Sequence, residues 1–411
     1  MLCQFTVRNY KSIKDYLTLD MQATSISEHG DKIIVNKDDT KLLPLAVIYG
    51  PNGSGKSNVI SAINHLITKI MLPICTTCDQ SKCLNKLFMK KTPTVPFKFD
   101  LESLNSPTEF EVFFRTDLAE YKYNLSIKDE EVLYESLYKK NIGGVRPKMI
   151  FVRDSNSVQK FELCSSLKKI SISGITETLT LLSYLAITNK NNPIIKDVIS
   201  WFEGSIEIAD FGNPNEEMSL NISKSPKLKS LLLKMFKEMD IDICDYRFQD
   251  RNEDYVDIFT KHNISGYESE LKLDEESNGT IKLFGIMPYI VRSLTDGSIF
   301  IADELDAKLH PKLLRYIIEL YRNPESNSKG AQLIFTSHDL STMNSELFRR
   351  DEIWFAAKNI NQSSMLYSLV EFKDSYGKSI RKDAKFDKQY LEGRYGSDPY
   401  LVKVINWEEY R

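Results

Sequence analysis

Apolar and polar positions alternate from Leu2 to Val7 and from Leu17 to Met21, the two-residue period of a strand with one face buried. Leu45 to Tyr49 is apolar throughout, which predicts a strand covered on both faces, and it runs directly into Gly50. Beyond the glycines, Val59, Ile63, Leu66, Ile67 and Ile70 recur at helical spacing, and Pro73 predicts the stop. From Glu109 onwards the chain breaks into short aromatic and β-branched runs, FEVFFR, YKYNLSI, VLYESLY and MIFVR, separated by turn residues such as Asn141-Ile142-Gly143-Gly144. An antiparallel β subdomain is predicted over residues 97–165.

The period then becomes helical. Leu179 to Ile187, Ile194 to Phe202, and Leu228, Leu231, Leu232, Met235, Phe236 and Met239 predict helices over most of 175–240. No heptad persists long enough for a coiled-coil arm. From Ile281 the pattern alternates: helix 281–294, strand 298–302, helix 311–321, strand 331–335, helix 340–348 and strand 352–356, the signature of an α/β sheet.

Composition narrows the class. With 411 residues, 42% hydrophobic and 27% charged, the chain is long enough for a sizeable core and is neither low-complexity nor collagenous. Its net charge of −3 means that attraction to nucleic acid must come from local patches. Six cysteines are too few for a disulfide framework, which fits a reducing compartment. The N-terminus lacks a signal-peptide core and no window is apolar enough for a membrane span, so a soluble cytoplasmic protein without membrane contact is expected.

The strongest chemical signal is Gly50-Pro51-Asn52-Gly53-Ser54-Gly55-Lys56-Ser57, a complete G-x-x-x-x-G-K-S between a predicted strand and a predicted helix. Such a loop turns backbone N–H groups around phosphate oxygens, its lysine reaches the β/γ-phosphates, and its serine ligates Mg²⁺. Ser298 to Glu304 is an apolar strand delivering Asp303 and Glu304 at its C-terminal end, where open α/β sheets bind ligands. Asp303 is expected to hold Mg²⁺ directly or through water, and Glu304 to polarise the attacking water. Ser277-Asn278-Gly279 precedes the helix from Ile281 and offers a second anion-binding helix end, although a plain serine cap explains it equally. Strand 331–335 leads to His338, which could contact a γ-phosphate or its water, or be an ordinary loop histidine.

The order of these motifs, at 56, 277, 303 and 338, resembles that of ABC-type ATPases. Their wording, FTVRNYKSIKDYLTLDM, GPNGSGKSN, EESNGT, IADELDAKLHP, FTSHD and YLEGRYGSDPYL, is similar to the branch containing RecF, SMC and OLD proteins and bacterial abortive-infection "AAA" ATPases such as those of PARIS and Septu. The resemblance implies an α/β ABC-type ATPase head with a P-loop sheet, an antiparallel β subdomain and a helical signature lobe. Three parts are expected: an N-terminal ATPase lobe (1–170), a helical lobe ending in the signature (171–295), and a C-terminal α/β part (296–411).

It also implies ATP and Mg²⁺ as cofactors, with Gly50, Asn52, Gly53, Ser54, Gly55, Lys56, Ser57 and Asn58 at the nucleotide and Ser57 and Asp303 at the metal. Lys56, Glu304 and His338 would be catalytic, His338 being the switch histidine. Ser277 and Gly279 would reach across a head-to-tail dimer, or a higher oligomer, to the other subunit's γ-phosphate, with Asp306 in the D-loop between the sites. Asn9, Lys11 and Ser12 match the family's N-terminal motif near the nucleotide. The implied function is an ATP-hydrolysing switch that regulates a separate nuclease or toxin effector in antiphage defence; the alternatives are a RecF-like DNA-repair ATPase and an ATP-binding scaffold.

Some features depart from the pattern. The signature reads Ser-Asn-Gly-Thr and lies 221 residues after Lys56, which disfavours a transporter motor. Only 73 residues follow His338, so an OLD-type nuclease domain is not expected, and no Q-loop glutamine stands out. Cys75, Cys78 and Cys83 open like a zinc knuckle, but Phe88 occupies the place of a fourth ligand and zinc is not expected. Lysines 82, 86, 90, 91 and 98, and the run Lys139, Lys140, Arg146, Lys148 and Arg153, could meet DNA or RNA, though a solvated surface is the commoner meaning of such runs.

Overall fold

The computed structural model describes residues 1–77, 92–157, 160–204, 206–210, 226–252, 255–373 and 377–397. The chain begins with β1 (Leu2–Arg8), β2 (Leu17–Asp20), the short pair β3 (Ile34–Val35) and β4 (Lys41–Leu42), then β5 (Leu45–Tyr49) and α1 (Lys56–Thr76). After α2 (Leu101–Asn105) come β6 (Thr108–Arg115), β7 (Ala119–Lys128), β8 (Glu131–Asn141), β9 (Lys148–Asp154) and β10 (Phe161–Leu163). These strands form a seven-stranded antiparallel sheet in the order β10-β9-β8-β7-β6-β1-β2, so the predicted β subdomain recruits the two N-terminal strands.

Next follow α3 (Leu181–Thr188), α4 (Pro193–Gly204), β11 (Ile206–Asp210) and α5 (Pro226–Glu238). A three-stranded antiparallel sheet, β12 (Asp245–Asn252), β13 (Tyr255–Ile264) and β14 (Tyr267–Lys272), leads into α6 (Asn278–Asp296). The last part holds β15 (Ile299–Asp303), α7 (Pro311–Arg322), β16 (Gln332–Thr336), β17 (Ile353–Lys358), β18 (Ser364–Ser368) and α8 (Phe386–Leu391). The second large sheet has the order β11-β15-β16-β5-β17-β18, parallel except for β18.

Strand β5 explains how the layers join. Ala46 and Ile48 enter one hydrophobic core with α1, α3, α4 and the seven-stranded sheet, whereas Leu45, Val47 and Tyr49 enter a second core with α5, α6 and α7. All five residues have no measurable exposure, as an unbroken apolar run requires. Helix α1 is apolar and long enough to cross a bilayer, but Val59, Ile63, Leu66, Ile67 and Ile70 are spent in the first core.

Three expectations need correction. Residues 171–295 are not one helical lobe: α3 and α4 pack in the first core, α5 and α6 in the second, and 245–252, 255–264 and 267–272 are strands. The apolar residues there alternate, Tyr246 being buried in the second core with Ile258 opposite Phe248. Helix α1 does not stop at Pro73; Thr76 and Thr77 donate their hydroxyls to the carbonyls of Pro73 and Ile74 at 2.7 and 2.8 Å, satisfying groups of the last turn. Residues 340–348 form only a 3₁₀ turn, Leu340–Thr342, because Asn344 Oδ1 accepts from the Glu346 and Leu347 N–H groups at 3.1 and 3.0 Å and so competes with a helical ladder.

Candidate functional site

Three neighbouring parallel strands, β15, β16 and β5, bring Asp303, the His338 loop and the glycine loop to one edge of the sheet. Gly50 leaves β5 at φ +154°, and a Cβ there would overlap the carbonyl oxygen of Ala356 on β17. Gly55 has φ +103° and no room for a side chain either, since Ser364 Cβ and Ser12 Oγ would lie 2.8 and 2.9 Å from it. These two contacts explain why glycine occupies both ends of the turn.

The loop rests on a polar support. Ser364 Oγ donates to the Ser54 carbonyl at 2.7 Å and meets Ser12 Oγ at 2.7 Å, while Asn58 Nδ2 donates to Ser12 Oγ at 2.7 Å. Asn58 and Ser12, both singled out in the sequence, therefore meet in this support, whereas Asn9 does not. Asn9 is buried, its amide donating to the carbonyls of Ser103 and Ser106 and accepting from Phe97 N–H. Lys11 Nζ donates to Ser61 Oγ at 2.6 Å, one turn along α1 from Ser57.

Lys56 opens α1 and is buried, 6% exposed, rather than lying on a solvent-accessible loop. Its Nζ donates to the carbonyls of Gly50 and Pro51 at 2.7 and 3.1 Å, closing the loop around the ammonium. Burial pulls its pKa below the usual lysine value, against the opposing pull of Asp303, Glu304 and Asp306. Asn52, Gly53 and Ser57 are exposed, and Ser54 is buried with a hydroxyl that has no partner among the described residues.

Thr336, at the end of β16, organises the opposite wall. Its hydroxyl donates to Asp303 Oδ1 at 2.6 Å and accepts from the Glu304 N–H at 2.7 Å. Glu304 itself is exposed and has φ +50°, a left-handed conformation that turns the chain sharply off the strand. Asp306 Oδ2 accepts from the His338 N–H at 3.0 Å, joining the expected D-loop to the expected switch. The His338 side chain is exposed.

Ser277 caps α6, its hydroxyl accepting from Thr280 N–H at 3.1 Å. A Cβ on Gly279 would come within 3.4 Å of the Lys308 carbonyl. Among the described residues, neither Ser277 nor Gly279 hydrogen-bonds to the glycine loop of its own chain. The exposed helix end thus sits beside the segment after Asp303.

A cleft of about 580 Å³ opens on the other side of the glycine loop, between it, the His338 loop, the end of β17 and α8, lined by Gly50, Asn52, Ser54, His338, Lys358 and Gly396 among others; Lys56, Asp303 and Glu304 do not line it. Ser364, Thr336, Lys282 and Lys358 escaped the sequence reading. Lys358 Nζ would stand 3.8 Å from a Cβ on Gly53; its sequence signal is a lysine ending an apolar strand, and only the pairing of that strand with β5 brings it to the glycine loop. Cys75 is buried on α1, while Cys78, Cys83, Lys82, Lys86, Lys90 and Lys91 lie outside the described residues.

The sequence model of a family described as "AAA domain, putative AbiEii toxin, Type IV TA system" matches residues 45–344, from the start of β5 past the His338 loop. The chain belongs to that family. No curated protein matches this AAA-domain chain. Among solved structures, it is similar to the SMC head bound to the C-terminal winged-helix domain of ScpA, at 13% identity and TM-score 0.42 over 89% of this chain and 97% of that one. It is likewise similar to the SMC head domain from Thermotoga maritima, at 15% identity and TM-score 0.41 over 89% and 98% of the two chains. A Pyrococcus furiosus SMC head with an extended coiled coil follows at 12% identity and TM-score 0.38, over 89% and 96%.

Proposed function

We propose that this AAA-domain protein is an ATP-binding and ATP-hydrolysing switch that works as a head-to-tail homodimer or higher oligomer. The convergence of Lys56, Asp303, Glu304 and the His338 loop on one sheet edge carries the reading. The residues fit a magnesium nucleotide: the glycine loop leaves no room for a Cβ at either end, and Thr336 holds one Asp303 oxygen. Ser57 and Asp303 would hold Mg²⁺, which supplies neutralisation of charge on the β- and γ-phosphates. Lys56, exchanging its carbonyl partners for phosphate oxygens, binds the β/γ-phosphates, with Gly50, Asn52, Gly53, Ser54 and Gly55 providing the backbone cradle. Glu304 orients and polarises water, and His338 faces the terminal phosphate. Ser277 and Gly279 complete the site of the other subunit, so hydrolysis follows closure of the dimer.

The switch acts as the regulatory ATPase of a bacterial abortive-infection system, governing a separate nuclease or toxin as in PARIS and Septu. The family description, which names a "putative AbiEii toxin, Type IV TA system", supports that context. Calorimetric titration of ATP into Lys56→Ala tests the core of the reading. Affinity should fall at least about tenfold with the fold retained, as expected for a lost charge-assisted contact. A folded variant with wild-type affinity would overturn it. Co-purification of the chain with the product of a neighbouring gene, dependent on ATP, tests the effector arm.

A further inference from the structure

Lys282 lies five positions after Ser277, in the first turns of α6, and is 9% exposed. Its Nζ donates to the backbone carbonyl oxygen of Glu304 at 2.9 Å. The same carbonyl accepts from Ala307 N–H at 3.0 Å, and the Glu304 N–H is held by Thr336. Glu304 is therefore gripped on both of its peptide units, in a left-handed backbone conformation that persists only where the surroundings impose it. One grip comes from β16, which carries the His338 loop; the other comes from the helix whose exposed end is the signature.

Burying an ammonium works against its charge, and here burial pulls the lysine pKa down to about 8 in spite of the nearby Asp306 and Glu304 carboxylates. A methionine would fill the same volume without that penalty. The ammonium has a use that volume does not supply: it fixes the position of a carbonyl adjoining the side chain that must face water.

We propose that Lys282 is a positioning residue that couples the signature end of α6 to Glu304 of the same chain. Engagement of Ser277 and Gly279 with the partner's nucleotide then sets the water-polarising carboxylate in the subunit's own site, so that the two composite sites fire together. The inference rests on the proposed roles of Glu304 and Ser277.

The full-length chain carrying Lys282→Met, Lys282→Gln or Lys282→Arg tests it by ATP titration, steady-state hydrolysis and thermal melting, each also in a Glu304→Gln background. In Lys282→Met and Lys282→Gln, kcat should fall about 10- to 100-fold, the scale of an ångström misplacement of a reacting group, while KM and ATP affinity stay within about twofold. Lys282→Arg should recover most of kcat. In the Glu304→Gln background the methionine change should lower the residual rate no further, because the group it positions is already gone.

The proposal is overturned if both neutral variants keep kcat within about twofold, or if kcat, affinity and melting temperature fall together in every variant, arginine included. Should Lys282→Met not fold, the glutamine and arginine variants carry the same comparison. Failure of the underlying reading shows separately: wild-type ATP affinity in Lys56→Ala or undiminished hydrolysis in Glu304→Gln would remove it whatever Lys282 does.

Discussion

The hydroxyls of Ser12 and Ser364 meet 2.7 Å apart beneath Gly55, although 352 residues separate them in the chain. One comes from the turn after β1 and the other from the start of β18, so the glycine loop is seated by two segments far apart in the chain. A methyl group at Gly55 would overlap Ser364 Oγ and would also have to adopt φ +103°. Gly55→Ala should cost about 1–3 kcal/mol in stability and weaken ATP binding by at least about tenfold. Adding Ser364→Gly should restore only part of the loss, since it removes the overlap with Ser364 but leaves the close Ser12 Oγ and the backbone strain, and it gives up the hydrogen bond to the Ser54 carbonyl. Denaturant melts and calorimetry on the single and double variants check this; full rescue would show that φ is no obstacle.

Ser277 tests the trans arrangement because cap and contact can be separated. Aspartate caps a helix as well as serine does, so Ser277→Asp should fold normally and bind ATP in cis. Its negative charge would face the partner's terminal phosphate and should abolish ATP-driven dimerisation and hydrolysis together. Ser277→Arg should do the same by bulk. Light scattering with ATP, alongside phosphate release, is the measurement; normal turnover by the aspartate variant would reduce Ser277 to a cap.

Glu304→Gln separates chemistry from binding. On the proposed mechanism it removes the charge that would polarise water and leaves Asp303 and Thr336 in place, so ATP should still bind while turnover drops by about 10²–10⁴-fold. The ATP-bound dimer should become long-lived. In cells expressing the effector, a trapped dimer should be harmless, since a resting complex must stay silent at cellular ATP; toxicity would mean that closure releases the effector.

His65 supplies a pH dependence remote from phosphate chemistry. Burial pushes its pKa from 6.5 down to about 4, with Glu130 opposing and Lys69 and Lys11 reinforcing the shift, and its Nε2 lies 3.0 Å from Thr94 Oγ1. The unfolded chain therefore takes up a proton that the folded one refuses. Its contribution is complete above pH 6.5 and is lost as the pH falls from 6.5 towards 4, by up to about 3 kcal/mol. His65→Gln should flatten this part of the stability profile. Urea titrations at several pH values in that window check it, and an unchanged slope would refute the assignment.

What could be read from the sequence was what is local in it. Leu45 to Ser57 contains its own strand, turn and helix start, and the apolar run ending in Asp303-Glu304 contains its own sheet edge. The partners that hold these motifs could not be read, because Ser364 reaches Ser54 across 310 residues, and Thr336 reaches Asp303 across 33, through strand order rather than spacing. Lys282 looked like an ordinary polar position on a helix because its acceptor is a backbone carbonyl, which carries no residue identity. The predicted helix over 340–348 failed for a similar reason: apolar spacing does not reveal that Asn344 will take up the N–H groups of Glu346 and Leu347.

The strand order also bears on how the protein is made. Strand β5 has left the ribosome early, yet its two neighbours in the sheet are β16, Gln332–Thr336, and β17, Ile353–Lys358. Between Tyr49 and Gln332 lie 283 positions of further synthesis, roughly 15–60 s at usual rates of translation. Throughout that interval an apolar strand has both edges open, a template for unwanted pairing. The nascent chain therefore cannot complete the sheet around the glycine loop before residue 332 has been made, and a chain cut short before that point should keep both edges of β5 open and be prone to aggregate.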